Sequence, residues 1–249
     1  METVTMAASK KYGLGVKAVC ILLLFALSSP LHAQDVFLDE QFTSLDRWEP
    51  FYFKNIDNHS SYSVGTYDDT SCLIATSNNS ASAMVLPERF NIYDFPDITW
   101  RWQVKNVYQK GDSSKKEGDD APIRLYVMFE YDPEKSSFFK AIKYEVIRIL
   151  YGEYPPHSSL NYFWASKQQS IPFIENPYSD LIMMVPVASG QGEVGEWLEH
   201  TVNVVEDYRA AFGEDPPPIA GIAVMSDSDN TGESAKAYID FIKIYKKIR

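Results

Sequence analysis

Apolar and polar residues alternate with a period of two along several short runs, the spacing of strands that bury one face. Ile98, Trp100, Trp102 and Val104 alternate with Thr99, Arg101 and Gln103. Ile123, Leu125, Val127 and Phe129 alternate with Arg124, Tyr126 and Met128. Each run carries one arginine on its polar side, which predicts that Arg101 and Arg124 share the polar face of one sheet. Phe37 to Phe42 predicts an opening edge strand, with Trp48 capping one end of the core. Ser61 to Val64 and Cys72 to Thr76 predict two short strands, with Gly65 and Asp68-Asp69 turning between them. Leu160 to Trp164 predicts another strand. The apolar runs Leu181 to Val187 and Ile219 to Met225 predict buried strands, Trp197 to Val204 follows the first of them, and Ala237 to Tyr245 predicts a final, half-exposed strand.

Helical signals are fewer. Glu206 and Asp207 open a run that ends at Phe212-Gly213, the acidic start and glycine stop of a short helix, and Pro216 to Pro218 forbids its continuation. From Ser137 to Tyr151, helical spacing through Phe139, Ile142, Val146, Ile149 and Leu150 competes with a strand at Tyr144 to Ile147, and helix is favoured. Tyr108 to Gly118 reads as a polar, lysine-bearing loop, expected to be mobile. Short strands with turn signals at close intervals predict an all-β, mainly antiparallel, two-sheet sandwich with a few short helices.

The first 33 residues change the picture. Lys10, Lys11 and Lys17 precede an apolar run from Val19 to Leu27, and Leu31-His32-Ala33 ends in a small residue. This predicts a secretory signal peptide over 1–33 and one sandwich domain over 34–249. No second long apolar run follows, so no membrane span is expected in the mature chain. The sequence carries a formal charge of −11. Removing Lys10, Lys11, Lys17 and Glu2 moves it to −13. So acidic a chain, with scattered basic residues, disfavours nucleic acid as a partner. Cys72 remains alone after export, so no disulfide is available within the chain. Burial must hold the fold, and five Trp, sixteen Tyr and fourteen Phe supply it.

Candidate chemistry is sparse. The turn Ser226-Asp227-Ser228-Asp229-Asn230-Thr231-Gly232 places Asp227, Asp229 and Thr231 at the first, third and fifth positions of a calcium loop, with Gly232 sixth. Its twelfth position is Tyr238 rather than glutamate, and an Asx-rich turn is the competing reading. Asp119 and Asp120 would add ligands if the two turns meet at one rim. Glu130, Asp132 and Glu134 recur at alternate positions, as catalytic carboxylates do on one strand face of some glycoside hydrolases. Pro133 interrupts such a strand. Gly190 to Gly195 matches a dinucleotide-loop pattern, but the strand expected after it makes a glycine-rich hairpin the better reading. His59, His157 and His200 lack metal-ligand spacing. Tyr126, Tyr162, Trp164 and Tyr178 are candidates for a sugar-stacking platform.

Trp100-Arg101-Trp102, Gly118-Asp119-Asp120 with Arg124 and Phe129, and Tyr162 with Trp164 carry a family resemblance. So do Gly195 with Trp197, Glu206-Asp207-Tyr208-Arg209, Phe212-Gly213-Glu214, and Asp227 with Asp229-Asn230-Thr231-Gly232. In this order, from about Phe37 to Phe241, the chain resembles a secreted bacterial family known as domain of unknown function 3047. The resemblance implies a periplasmic or extracellular protein with a two-sheet jelly-roll fold of the legume-lectin type and no established activity. Lys135 to Pro155 departs from the usual pattern. The functional expectation is a ligand-binding face, carbohydrate being the best class. Arg101 and Arg124 would bind an acidic glycan or other envelope ligand, Tyr126 or Trp164 would stack, and Asp119, Asp120 and Asp207 would lie nearby. No cofactor is expected beyond an optional calcium ion. The alternatives are a polysaccharide-active enzyme and a structural envelope protein.

Overall fold

The computed structural model describes residues 35–131 and 156–246. The expected signal peptide, the Ser137 to Tyr151 segment, Asp132 and Glu134 lie outside them. In chain order the strands are β1 (Asp35–Glu40), β2 (Glu49–Phe51), β3 (Ser61–Tyr67), β4 (Thr70–Asn78), β5 (Ala81–Val85), β6 (Phe90–Asn91) and β7 (Asp97–Val104). They continue as β8 (Arg124–Phe129), β9 (Ser158–Ala165), β10 (Ile174–Asn176), β11 (Ser179–Ser189), β12 (Leu198–Asn203), β13 (Ile219–Asp227) and β14 (Ser234–Lys246). One helix, α1 (Val204–Phe212), and a 3-10 turn at Lys116–Gly118 complete the described elements.

The strands form the expected two-sheet jelly-roll sandwich. One sheet has six strands in the order β12-β7-β14-β4-β3, with β1 also on β14. The other has eight, β10-β11-β9-β8-β13-β5-β2, with β6 also on β13. All pairs are antiparallel except β9 with β11, which run parallel. The chain passes between the sheets several times, so consecutive strands often lie on opposite layers.

Period-two alternation explains the core. Trp100, Trp102 and Val104 from one sheet meet Leu125, Val127, Phe129, Leu160, Tyr162 and Trp164 from the other, all fully buried. Apolar contact over this area holds the layers together, and Cys72, the one cysteine among the described residues, is free and buried. Trp48 is buried as expected, its Nε1 donating to Glu40 Oε2 at 3.1 Å. The helix appears where acids and glycine placed it. Asn203 caps its start by accepting from the Glu206 amide at 3.0 Å, and Gly213 ends it at φ 74°.

Four local expectations differ. Gly65 lies inside β3, and the turn is made by Asp68 and Asp69 alone, both at positive φ (50° and 58°). β14 is a long strand flanked by β7 on one side and by β4 and β1 on the other, so most of it is buried. Gly190 to Gly195 is no hairpin, because β11 and β12 belong to different sheets. Residues 108 to 118 are tied down: the Tyr108 hydroxyl meets Ser77 Oγ at 2.7 Å, and Glu233 accepts from the amides of Gln109 and Lys110.

Candidate functional site

Arg101 and Arg124 do not share a face. Arg101 is on β7, whose Trp100 and Trp102 point into the core, so it stands on the outer face of the six-stranded sheet. There it donates to Asp240 Oδ2 at 2.9 Å and lies 5.1 Å from the Trp197 ring centre. Arg124 is on β8, with Leu125 in the core, so it stands on the outer face of the eight-stranded sheet. The two guanidinium groups therefore sit on opposite sides of the sandwich. Alternation identified the polar side of each strand correctly but carried no information about which sheet each strand joins.

Arg124 is buried, 1% exposed, within a carboxylate network. Its Nε donates to Asp227 Oδ1 and its Nη2 to Asp227 Oδ2, both at 2.8 Å. Nη2 also donates to the Asp119 carbonyl at 2.7 Å and to Asp119 Oδ1 at 3.1 Å. Asp227 Oδ1 takes a further bond from the Ala121 amide, and Asp119 Oδ2 one from Asn176 Nδ2 at 2.9 Å. Asp120 binds the acidic turn itself: its Oδ2 accepts from the Thr231 amide at 2.6 Å and its Oδ1 from Asn230 Nδ2 at 3.1 Å. The two acidic turns thus meet at one rim, as the sequence reading required. Gly232, at φ 69°, supplies the left-handed residue that closes the second turn.

The same geometry bears on calcium. Asp120, Asp227 and Asp229 bring carboxylate oxygens within 4.8 Å of one another. Both oxygens of Asp227, however, are engaged by the Arg124 fork, and Thr231 Oγ1 accepts from the Glu233 amide. A divalent ion drawing on Asp227 would have to share that carboxyl with the Arg124 guanidinium. Burial pushes Asp227 up to about 7, against the downward pull of Arg124 and with Asp120 and Asp119 adding to the rise. Burial also raises Asp229, again with Asp120 contributing.

Other candidates separate. Trp164 and Tyr162 are wholly buried core residues, which removes them as stacking surfaces. Asp207, on α1, accepts from the Tyr162 hydroxyl at 2.8 Å, and burial pushes its carboxyl up. Glu130 is exposed and pairs with Arg89 Nε at 3.1 Å. Tyr178 is the most exposed of the four platform candidates at 57%, its hydroxyl donating to Asn230 Oδ1 at 2.7 Å with the Lys116 carbonyl at 3.0 Å. Tyr126 is partly exposed beside Arg124 on the outer face, and Asn161 Nδ2 donates to its hydroxyl at 3.2 Å.

Register places small residues next to Tyr126. Ala223 faces it on β13, with Gly221 two residues away on the same face and Val85 beyond Ala223 on β5. The Arg89 guanidinium lies on Gly221, where an added Cβ would come within 2.7 Å of Nη1. Neither Asn161 nor Arg89 was singled out from sequence. Asn161 did carry a signal: it is the one amide inside the apolar run Leu160 to Trp164.

No curated protein matches the chain in sequence. Among solved structures, a lectin from Bauhinia forficata in complex with GalNAc is 11% identical at TM-score 0.39, covering 84% of this chain and 96% of that one. A family 30 carbohydrate-binding module of a Clostridium thermocellum cellulosomal cellulase is 9% identical at TM-score 0.37, covering 85% and 99%. The enzymatically active domain of bacteriophage CBA120 tailspike protein 4 is 9% identical at TM-score 0.38, and the match spans 83% of this chain but only 20% of that one. Likeness at these levels says nothing of what this chain binds. The family model described as "Protein of unknown function (DUF3047)" matches residues 46–243, the greater part of the sequence, and the chain belongs to that family.

Proposed function

We propose that this is an exported, non-catalytic protein that binds a glycan on the outer face of its eight-stranded sheet, around Tyr126. Residues 1–33 act as the signal peptide, 34–249 form one domain, and the destination is periplasmic or extracellular. Among the described residues no helix is long and apolar enough to cross a membrane. The observation that carries the reading is a partly exposed aromatic ring beside a buried amide, with Ala223 opposite the ring across the sheet. A tyrosine ring offers an apolar face to pyranose C–H groups and a polar hydroxyl at its edge. The arginines no longer favour an acidic glycan, since Arg101 is on the far side and Arg124 is committed to Asp119 and Asp227. A neutral glycan fits better. The acidic turn acts as an ion-paired brace, with Arg124 in the role that calcium would otherwise fill.

The test is a glycan array probed with full-length protein recovered after export, with calcium and with chelator. The reading expects binding to neutral glycans that is indifferent to chelator. Binding confined to acidic glycans, or no binding at all, contradicts it.

A further inference from the structure

We infer that Asn161 and Tyr126 together form a hydroxyl-recognition subsite that reads one alcohol group of the ligand, an inference that rests on the glycan-binding reading above. Asn161, on β9, is 0% exposed and lies between Tyr126 on β8 and Met184 on β11 in the sheet register. Its Nδ2 donates to the Tyr126 hydroxyl, while its Oδ1 is buried and meets no donor. Buried amide groups are ordinarily paired at both ends. Turning the amide over would exchange a leftover acceptor for a leftover donor without removing it.

Tyr126 is the other half of the pair. Its oxygen takes a hydrogen bond from Asn161 Nδ2, which leaves its own O–H to be donated elsewhere. Burial pushes the phenol up to about 12, so that proton stays in place at neutral pH. An unpaired donor next to an unpaired acceptor suits a group that does both. One alcohol oxygen accepts from Tyr126 and donates to Asn161. A carboxylate or phosphate oxygen only accepts and an ammonium only donates, so each answers half of the pair. Ala223, directly across from Tyr126 in register, puts only a methyl group beside the ring. A site built to bond a hydroxyl discriminates against analogues lacking it, because its own buried groups are then left unpaired.

The test is ligand-observed saturation-transfer NMR on the full-length protein recovered after export. The probes are methyl glucopyranoside, galactopyranoside and mannopyranoside, each beside its fully O-methylated form, which keeps the ring and lacks hydroxyl donors. At least one free glycoside should receive saturation, and its O-methylated form should bind roughly tenfold more weakly or worse. Tyr126→Phe and Asn161→Leu should each weaken that binding by roughly tenfold. Asn161→Leu should leave the melting temperature unchanged or raise it, because leucine removes a buried unpaired atom. A marked drop in melting temperature would make the amide a structural prop and overturn the inference. Undiminished binding by Tyr126→Phe or Asn161→Leu overturns the subsite and leaves the glycan face standing. No transfer to any glycoside from the unsubstituted protein overturns the glycan reading and the subsite with it.

Discussion

The Arg124 guanidinium meets the Asp227 carboxylate as a two-pronged fork, Nε to Oδ1 and Nη2 to Oδ2, each at 2.8 Å, with both side chains buried. The pair joins the start of β8 to the end of β13 and, through Asp119 and Ala121, fixes the loop that leads into β8. It braces one end of the proposed binding face.

Arg124→Met should therefore destabilise the protein strongly. Methionine fills similar space but leaves Asp227 and Asp119 buried without their cation. Removing one partner of such a pair costs about 3–5 kcal/mol. Chemical denaturation of wild type and variant checks this, and a loss under about 1 kcal/mol, typical of exposed pairs, would show that the network is not a brace. Arg101→Ala, which breaks a partly exposed pair, should fall in that smaller range.

The pH dependence of Asp227 runs opposite to that of an ordinary salt-bridged aspartate. Its folded-state carboxyl, pushed to about 7 mainly by burial, holds its proton more tightly than the unfolded chain does. The stability it contributes is present at low pH and is lost as pH rises through about 7. Asp227→Asn keeps the neutral form throughout. From acid to mildly alkaline pH, the melting temperature of wild type should fall relative to that of the variant. A shift the other way would mean that Arg124 holds the carboxyl below its ordinary range.

Calcium should leave the melting temperature of the wild type unmoved, and so should a chelator. A site with micromolar affinity would gain about 4 kcal/mol from millimolar calcium, a shift of several degrees in a differential scanning experiment. Such a shift would mean that Asp120, Asp227 and Asp229 hold an ion together.

His200 gives a second, opposite pH signature. It sits on β12 against the rings of Trp100 and Trp102, at centroid distances of 5.5 and 5.6 Å, and burial lowers its pKa to about 4. The folded protein holds the neutral ring while the unfolded chain takes up a proton below about 6.5. Stability is therefore lost as pH falls from there toward 4. His200→Phe should lose less stability than wild type over that interval, and parallel melting curves would contradict the assignment.

Local chemistry was legible in the sequence wherever one strand or turn decided it. Trp100 and Leu125 announced their buried faces by alternation and Gly213 announced the end of α1, while the meeting of Asp119-Asp120 with the Asp227 turn was only a condition that the sequence could pose. Sheet membership was not legible. Residues 105–123 carry the chain from β7 on one layer to β8 on the other, so Arg101 and Arg124 part company although their strands read alike. The run around Trp164 named a strand, yet only three-dimensional packing showed that Tyr162 and Trp164 lie between the sheets while Asn161 and Phe163 face the other way. The centrality of β14 depends likewise on partners far away in sequence.

The most direct test of the proposed face is a binding comparison of Tyr126→Ala with Arg101→Ala, titrated with whichever neutral glycan the array identifies. The account predicts that Tyr126→Ala weakens binding by roughly tenfold or more, from the loss of a stacking ring and a hydrogen bond, while Arg101→Ala binds as wild type does. Binding lost in Arg101→Ala and kept in Tyr126→Ala would move the site to the six-stranded sheet and contradict the account.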